Sequence, residues 1–224
     1  MCGRTILATP EAELRQAFGL DEMPELPLRY NIAPTQPIAV IREPRRLELL
    51  RWGLVLPDAR RRGPGINVRV ETVARAPAYR DAFRQRRCLV IVDGFYEWQR
   101  REKVSQPFAI RRADSRPFAL AGIWAPCVTS DGEVVDCCAI ITGAATGVVA
   151  ALHDRMPMVV PPSAFADWLA PNTRASELFD LMAPNATELE TYPVRPLVNS
   201  PLNDGPSCIE PANETATTLP LFHP

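Results

Sequence analysis

Apolar and polar positions change their spacing several times along the chain, and each change marks an element. Thr9-Pro10 reads as an N-cap with proline at the first helical position, and Gly19 ends that helix. Tyr30-Asn-Ile-Ala-Pro34 reads as a loop entering a strand at residues 38–42, and residues 47–52 form another strand. Residues 66–70 alternate as a strand does. Over residues 72–86 the period lengthens, with Val73, Ala76, Tyr79 and Phe83 on one helical face and Pro77 disturbing the first half. Residues 89–92, 108–112, 118–124 and 135–142 then read as strands, residues 158–160 as a short apolar one, and residues 144–152, 163–169 and 175–182 as helices. Strands outnumber helices and follow one another too closely for βαβ crossovers. The expected fold is α+β: one domain over residues 1–224 with a curled, mainly antiparallel, barrel-like sheet flanked by short helices. The proline-rich end, from Pro193, is expected to wrap the surface, its last ten or so residues loose.

Composition narrows the class. With 46% hydrophobic and 23% charged residues, the 224-residue chain has ordinary globular make-up and can bury a core. No apolar run approaches the roughly 20 residues of a membrane span. The start opens no signal peptide, since Pro10 and Glu11 soon break the stretch after Arg4. The expectation is a cytoplasmic protein, nucleoid-associated in a bacterium, with no membrane partner. Cys2, Cys88, Cys127, Cys137, Cys138 and Cys208 show no CxxC pair and no zinc spacing, so no metal or cofactor is expected. Cys88 and Cys138 sit in apolar runs and read as reduced, buried residues. Cys2 is the exception, because nothing packs a chain end by default.

Charge is uneven. Residues 1–124 hold 21 arginines and one lysine against 14 acids, whereas residues 125–224 hold three arginines against 12 acids. The asymmetry hints at one basic face, although exposed arginine also serves solubility.

Four segments are candidates for chemistry. Loss of Met1 before the small Cys2 would expose a 1,2-aminothiol, which condenses with an aldehyde to a thiazolidine. The amine would add first as a Schiff base, and the thiolate would close the ring. An α-amine has a reference pKa near ~7.7–8.0 and a thiol about 8.5, so both are available near neutrality, the thiol with help from a cation such as Arg4. A cysteine at position two in itself carries little meaning. In Asn67-Val-Arg-Val-Glu71, strand alternation puts Asn67, Arg69 and Glu71 on one side, Arg69 being suited to phosphate; the pattern alone favours an ordinary exposed sheet face. In Gly94-Phe-Tyr-Glu-Trp98, Glu97 flanked by aromatics is a candidate proton shuttle, and the rings are candidate base-stacking groups; core aromatics beside an edge charge fit equally. His153, one of two histidines, precedes Arg155 at a junction, where an acid/base role competes with the commoner structural one.

Met1-Cys2-Gly3-Arg4, Tyr30-Asn-Ile-Ala-Pro-Thr-Gln36, Arg51-Trp-Gly-Leu54, Asn67-Val-Arg-Val-Glu-Thr72, Gly94-Phe-Tyr-Glu-Trp98 and His153-Asp-Arg-Met-Pro157 together resemble the successive motifs of the SRAP (SOS-response-associated peptidase) family, in the family's order. Val198-Asn199, Asp204 and Ile209-Glu-Pro211 are similar as well. The resemblance implies an abasic-site DNA–protein crosslinking protein acting on single-stranded DNA as a monomer, with autoproteolytic peptidase or lyase activity as a further possibility. It implies that Cys2 supplies amine and thiol, Asn67 positions the Cys2 end and the sugar, Glu97 shuttles protons and His153 assists. It also implies phosphate contacts by Arg4, Arg69 and Arg155, and places Trp52 beside the DNA channel. The loop Arg60-Arg-Arg-Gly-Pro-Gly65 has no close counterpart in the pattern. Two rival readings are a cysteine peptidase with an N-terminal nucleophile and a non-covalent single-strand DNA module.

Overall fold

A computed structural model describes residues 2–55, 65–101, 104–129, 132–185 and 187–212. In chain order the elements are β1 (Thr5–Leu7), α1 (Glu11–Phe18), β2 (Arg29–Ile32), β3 (Pro37–Glu43), β4 (Arg46–Trp52) and β5 (Asn67–Arg69). There follow α2 (Val70–Val73), α3 (Pro77–Gln85), β6 (Arg87–Val92), β7 (Gly94–Arg101), β8 (Val104–Arg112), β9 (Phe118–Val128) and β10 (Val134–Ala144). The chain continues through α4 (Gly147–Ala150), β11 (Arg155–Pro157), β12 (Val159–Val160), α5 (Phe165–Leu169) and β13 (Leu189–Pro193).

The strands with the strongest apolar runs close on one another. β10 pairs with β4, β4 with β3, β3 with β6, β6 with β9, and β9 returns to β10, so five strands form a ring without a free edge between them. All pairings in the ring are antiparallel except β10–β4. Every residue of β6 is buried, as befits a strand covered on both faces. Gly122 lets β9 cross close to β6: a Cβ there would meet the Cys88 sulfur at 2.8 Å and Val90 at 2.9 Å. β5, β11 and β12 extend this sheet, β5 lying parallel to β10. A second sheet, in the order β13-β8-β7-β1-β2, carries the chain's beginning. The expected α+β class with a curled, mainly antiparallel, barrel-like sheet and short flanking helices is what forms.

Several local expectations change. Gly19 closes α1 in the left-handed conformation (φ 60°), as expected. Thr9 does not cap it, because its hydroxyl and amide bind Asp93 at 2.6 and 2.8 Å. Residues 72–86 split into α2 and α3, with Pro77 opening the second helix, where its missing N–H costs nothing. The helix expected over 144–152 shrinks to four residues because β10 runs on to Ala144. Of the one expected over 175–182, only a 3-10 turn at Glu177–Phe179 forms. The first part of the Tyr30 segment, through Ile32, lies within β2 rather than in a loop, since it pairs antiparallel with β1; the Asp204 carboxylate also accepts the Tyr30 and Asn31 amides at 2.6 and 2.8 Å. All six cysteines are free and buried, Cys2 included. Among the described residues no helix is long and apolar enough to cross a membrane. The loose tail expected over the last ten residues, and residues 60–64 of the arginine loop, lie outside the described residues.

Candidate active site at the buried N-terminus

The geometry of the site starts from β1. It pairs antiparallel with β7, Thr5 opposite Phe95 and Ile6 opposite Gly94, and the Tyr96 amide donates to the Arg4 carbonyl at 3.0 Å. Continuing that register brings the chain's beginning level with Glu97 and Trp98. From the other sheet, Asn67 on β5 donates through Nδ2 to the Cys2 carbonyl at 2.6 Å. Cys2 is therefore clamped in the seam between the two sheets, fully buried. The Asn67 Oδ1 atom is also buried and has no hydrogen-bond partner among the described residues, which leaves an acceptor at the seam.

Strand alternation on β7 sorts its aromatics from its acid. Tyr96 and Trp98 face the smaller core around Ile6, Val194 and Val198, whereas Phe95 faces the main core. Glu97, between Tyr96 and Trp98, falls on the Phe95 side and is only 2% exposed, so it is no edge charge. Tyr96 is core packing, its hydroxyl donating to the Tyr30 carbonyl at 2.7 Å. Burial pushes the Glu97 carboxyl above the ordinary glutamate value, with the nearby His153 opposing. At Cys2, burial first and the Glu97 charge second push the thiol far above its usual value. The Arg4 side chain does not offset this. Its guanidinium donates to Val198 O at 2.6 Å and Asn31 Oδ1 at 3.2 Å, and lies 6.0 Å from the Trp98 ring. The expected cationic help for the thiol is absent because Arg4 points at the carboxy-terminal segment.

His153 follows α4 and is half-buried, near enough to Glu97 for the two charges to interact. Its Nδ1 lies 2.9 Å from the Arg155 amide and 2.7 Å from an Asp154 carboxylate oxygen. Arg155 is 8% exposed and its fork is occupied: Nη1 and Nη2 donate to the two Glu71 oxygens at 3.0 and 2.9 Å, and Nη2 also to the Thr142 carbonyl at 2.6 Å. That pairing holds the Glu71 carboxyl below its usual value. The Arg69 guanidinium, by contrast, is exposed and makes no hydrogen bond or ion pair among the described residues, although the Arg69 carbonyl accepts from the Thr72 hydroxyl at 3.3 Å.

Thus Cys2, Asn67, Glu97 and His153 gather at one seam, with Arg69 two residues from Asn67 on the same strand. Trp52 does not line a channel. It is fully buried, its indole N–H donating to the Ile66 carbonyl at 3.0 Å, so no base can stack on it while the barrel is intact. Glu71 leaves the strand face expected for it because α2 begins at Val70. Reading by residue type missed what Glu71, Thr142, Asn31 and Asp204 do. Glu71, Asn31 and Asp204 stood inside the recognised segments, and Thr142 was visible only as a hydroxyl closing an apolar run. A cavity of about 230 Å³ lined by Phe18, Phe165 and Arg116 includes none of the gathered residues.

Residues 1–201 match the family model described as SOS response associated peptidase (SRAP). The chain is 36% identical over 222 residues to the abasic site processing protein YoqW of Bacillus subtilis, covering 94% of this chain and 99% of that one. It is 28% identical to the abasic site processing protein YedK of Escherichia coli, covering 94% and 100%. A solved protein from Bacteroides thetaiotaomicron shares the fold at a TM-score of 0.83, covering 95% of this chain and 100% of that one, at 20% identity. The match runs from the Cys2 end through the β1–β7 pairing, the Asn67 strand and the His153 junction, and on it this chain belongs to the SRAP family.

Proposed function

We propose that this protein processes abasic sites by capturing them covalently in single-stranded DNA through Cys2 once Met1 is removed, shielding the lesion in the DNA damage response. The observation that carries the reading is the Cys2 carbonyl held by Asn67 at 2.6 Å, beside the buried Glu97 and the half-buried His153. The ring-opened sugar offers an aldehyde. The Cys2 amine adds to its carbonyl carbon, the resulting carbinolamine loses water, and a Schiff base forms. The thiol then adds across the C=N bond: sulfur bonds to carbon, and its proton ends on nitrogen. The net products are one thiazolidine and one water. Glu97, its carboxyl pushed above the ordinary glutamate value by burial, is suited to take and return the protons of these steps. Asn67 positions the terminus, and the exposed guanidinium of Arg69, uncommitted among the described residues, holds a phosphate of the strand. Arg4 and Arg155, already committed to protein acceptors, act instead by fixing the site's walls. No cofactor takes part in this reading, and a monomer suffices for it.

The raised Cys2 thiol supports the amine-first order. An N-terminal nucleophile peptidase needs thiolate at the start, and burial together with the Glu97 charge opposes it. The test is a denaturing gel of mature protein, Met1 removal verified by mass, with single-stranded DNA carrying one abasic site and with undamaged DNA. A retarded band is expected only with the abasic strand and is lost in Cys2→Ala. Its absence from the wild type overturns the proposal. An adduct of full yield and stability from Cys2→Ser would contradict the part given to the thiol.

A further inference from the structure

We propose that Arg155 is the positioning residue of His153: its backbone N–H, rather than the Asp154 carboxylate, occupies Nδ1, so the neutral imidazole carries its proton on Nε2. His153 then works as a hydrogen-bond donor, and the base of the site is Glu97. The inference rests on the functional reading above for its chemical meaning, but not for its geometry.

Among the described residues, two neighbours of the Nδ1 atom want opposite things from it. The Arg155 amide, at 2.9 Å, needs a lone pair; the Asp154 oxygen, at 2.7 Å, needs a proton. One ring nitrogen offers one or the other. The surroundings decide between them. Asp154 has a side chain 86% exposed, so water satisfies it whenever Nδ1 carries no proton. Arg155 is 8% exposed, and a buried amide left without an acceptor is the costlier loss. The Arg155 backbone is also anchored independently of the imidazole. β11 pairs with β10, Arg155 opposite Ala144, and the guanidinium is forked onto Glu71 and bound to the Thr142 carbonyl. The amide is thus a fixed donor, and the ring settles onto it.

The assignment limits what His153 can do. In the neutral state Nε2 carries the only ring proton. On protonation Nδ1 gains a proton, and Asp154 is in place to accept it, while Nε2 keeps its own. Nε2 therefore presents a donor in both states, suited to an oxygen that is gaining negative charge or leaving as water. Had Asp154 held a neutral ring through Nδ1–H, Nε2 would be a bare lone pair and His153 a base.

The test uses 15N-labelled full-length protein without DNA and the two-bond proton–nitrogen correlations of its imidazoles. The chain has two histidines, and His153 is identified by its loss in His153→Ala. At a pH where His153 is neutral, the expected pattern is a protonated Nε2 and a bare Nδ1, unchanged in Asp154→Asn. A protonated Nδ1 with a bare Nε2, an even mixture of tautomers, or a pattern that moves with Asp154→Asn overturns the proposal. The tautomer is read without any crosslink. A failed gel assay with the expected tautomer therefore overturns the functional reading alone, and a crosslinking protein with the other tautomer overturns this one alone.

Discussion

Arg155 and Arg69 offer the same fork to a phosphate, yet the structure gives them different work, and truncating each to alanine separates the two. Arg155→Ala breaks a bidentate pair and orphans the Thr142 carbonyl. Removing one partner of a fully buried pair costs about 3–5 kcal/mol. Glu71 has a side chain 52% exposed and resolvates once released, which removes much of that penalty. What remains is the orphaned carbonyl and the lost packing, about 2–3 kcal/mol. For a chain of this size each kcal/mol moves Tm by about 2–4 °C, so a fall of roughly 4–12 °C is expected. Arg69→Ala removes an exposed group and should leave Tm within about 2 °C. Fluorescence anisotropy of a labelled single strand, titrated over a range of salt, reads the other half. Each phosphate contact contributes about 0.7 to the slope of log K against log salt, so Arg69→Ala should flatten the slope by about that amount. Arg155→Ala should leave it unchanged. An Arg155→Ala protein with unaltered Tm and a flattened slope would refute the reasoning, since Glu71 would then be yielding its place to phosphate.

Glu97→Gln should slow crosslinking by about 10²-fold while raising Tm near neutral pH. Burial raises the Glu97 pKa, so its charge penalises the fold above the unfolded value of about 4.3, and the gain in Tm should vanish as pH falls below that; a lower Tm in the variant at pH 7 would contradict this. Asn67→Ala loses the 2.6 Å tie to Cys2 and should slow adduct formation by about 10–100-fold with the salt slope of DNA binding intact, whereas an unaltered rate would remove Asn67 from positioning. Arg87, 4% exposed, donates to the carbonyls of Trp168, Phe83, Arg84 and Ala170 and thereby ties the end of α3 to the end of α5. Arg87→Met should cost about 3–5 kcal/mol in denaturant unfolding and spare crosslinking below the transition; a loss under about 1 kcal/mol would show that the carbonyls find other donors.

The barrel was legible in the order of residues because its strands are continuous apolar runs. β6 and the middle of β10 have only one kind of environment open to them, a sheet covered on both faces. The stop at Gly19 was legible for a similar reason, since a left-handed residue closing a helix is a local matter. The motifs around Cys2, Asn67, Glu97 and His153 were legible as segments, and their meeting at one seam followed from the fold. What a polar side chain does with its donors was a tertiary decision. The same guanidinium serves a phosphate, a carboxylate or a carbonyl, and only the approach of Val198, Glu71 and Thr142 from distant parts of the chain committed Arg4 and Arg155 to protein. The Tyr30 and Asn31 amides of β2 likewise found their acceptor in Asp204, well over a hundred residues away. Trp52 shows the same limit from the apolar side: an indole suits a DNA channel or a core equally, and closure of β4 against β10 placed it in the core. Short-range periodicity is set by neighbours in sequence and can be read there, whereas the partner of a versatile group is set by whichever element the completed sheets bring within hydrogen-bond reach.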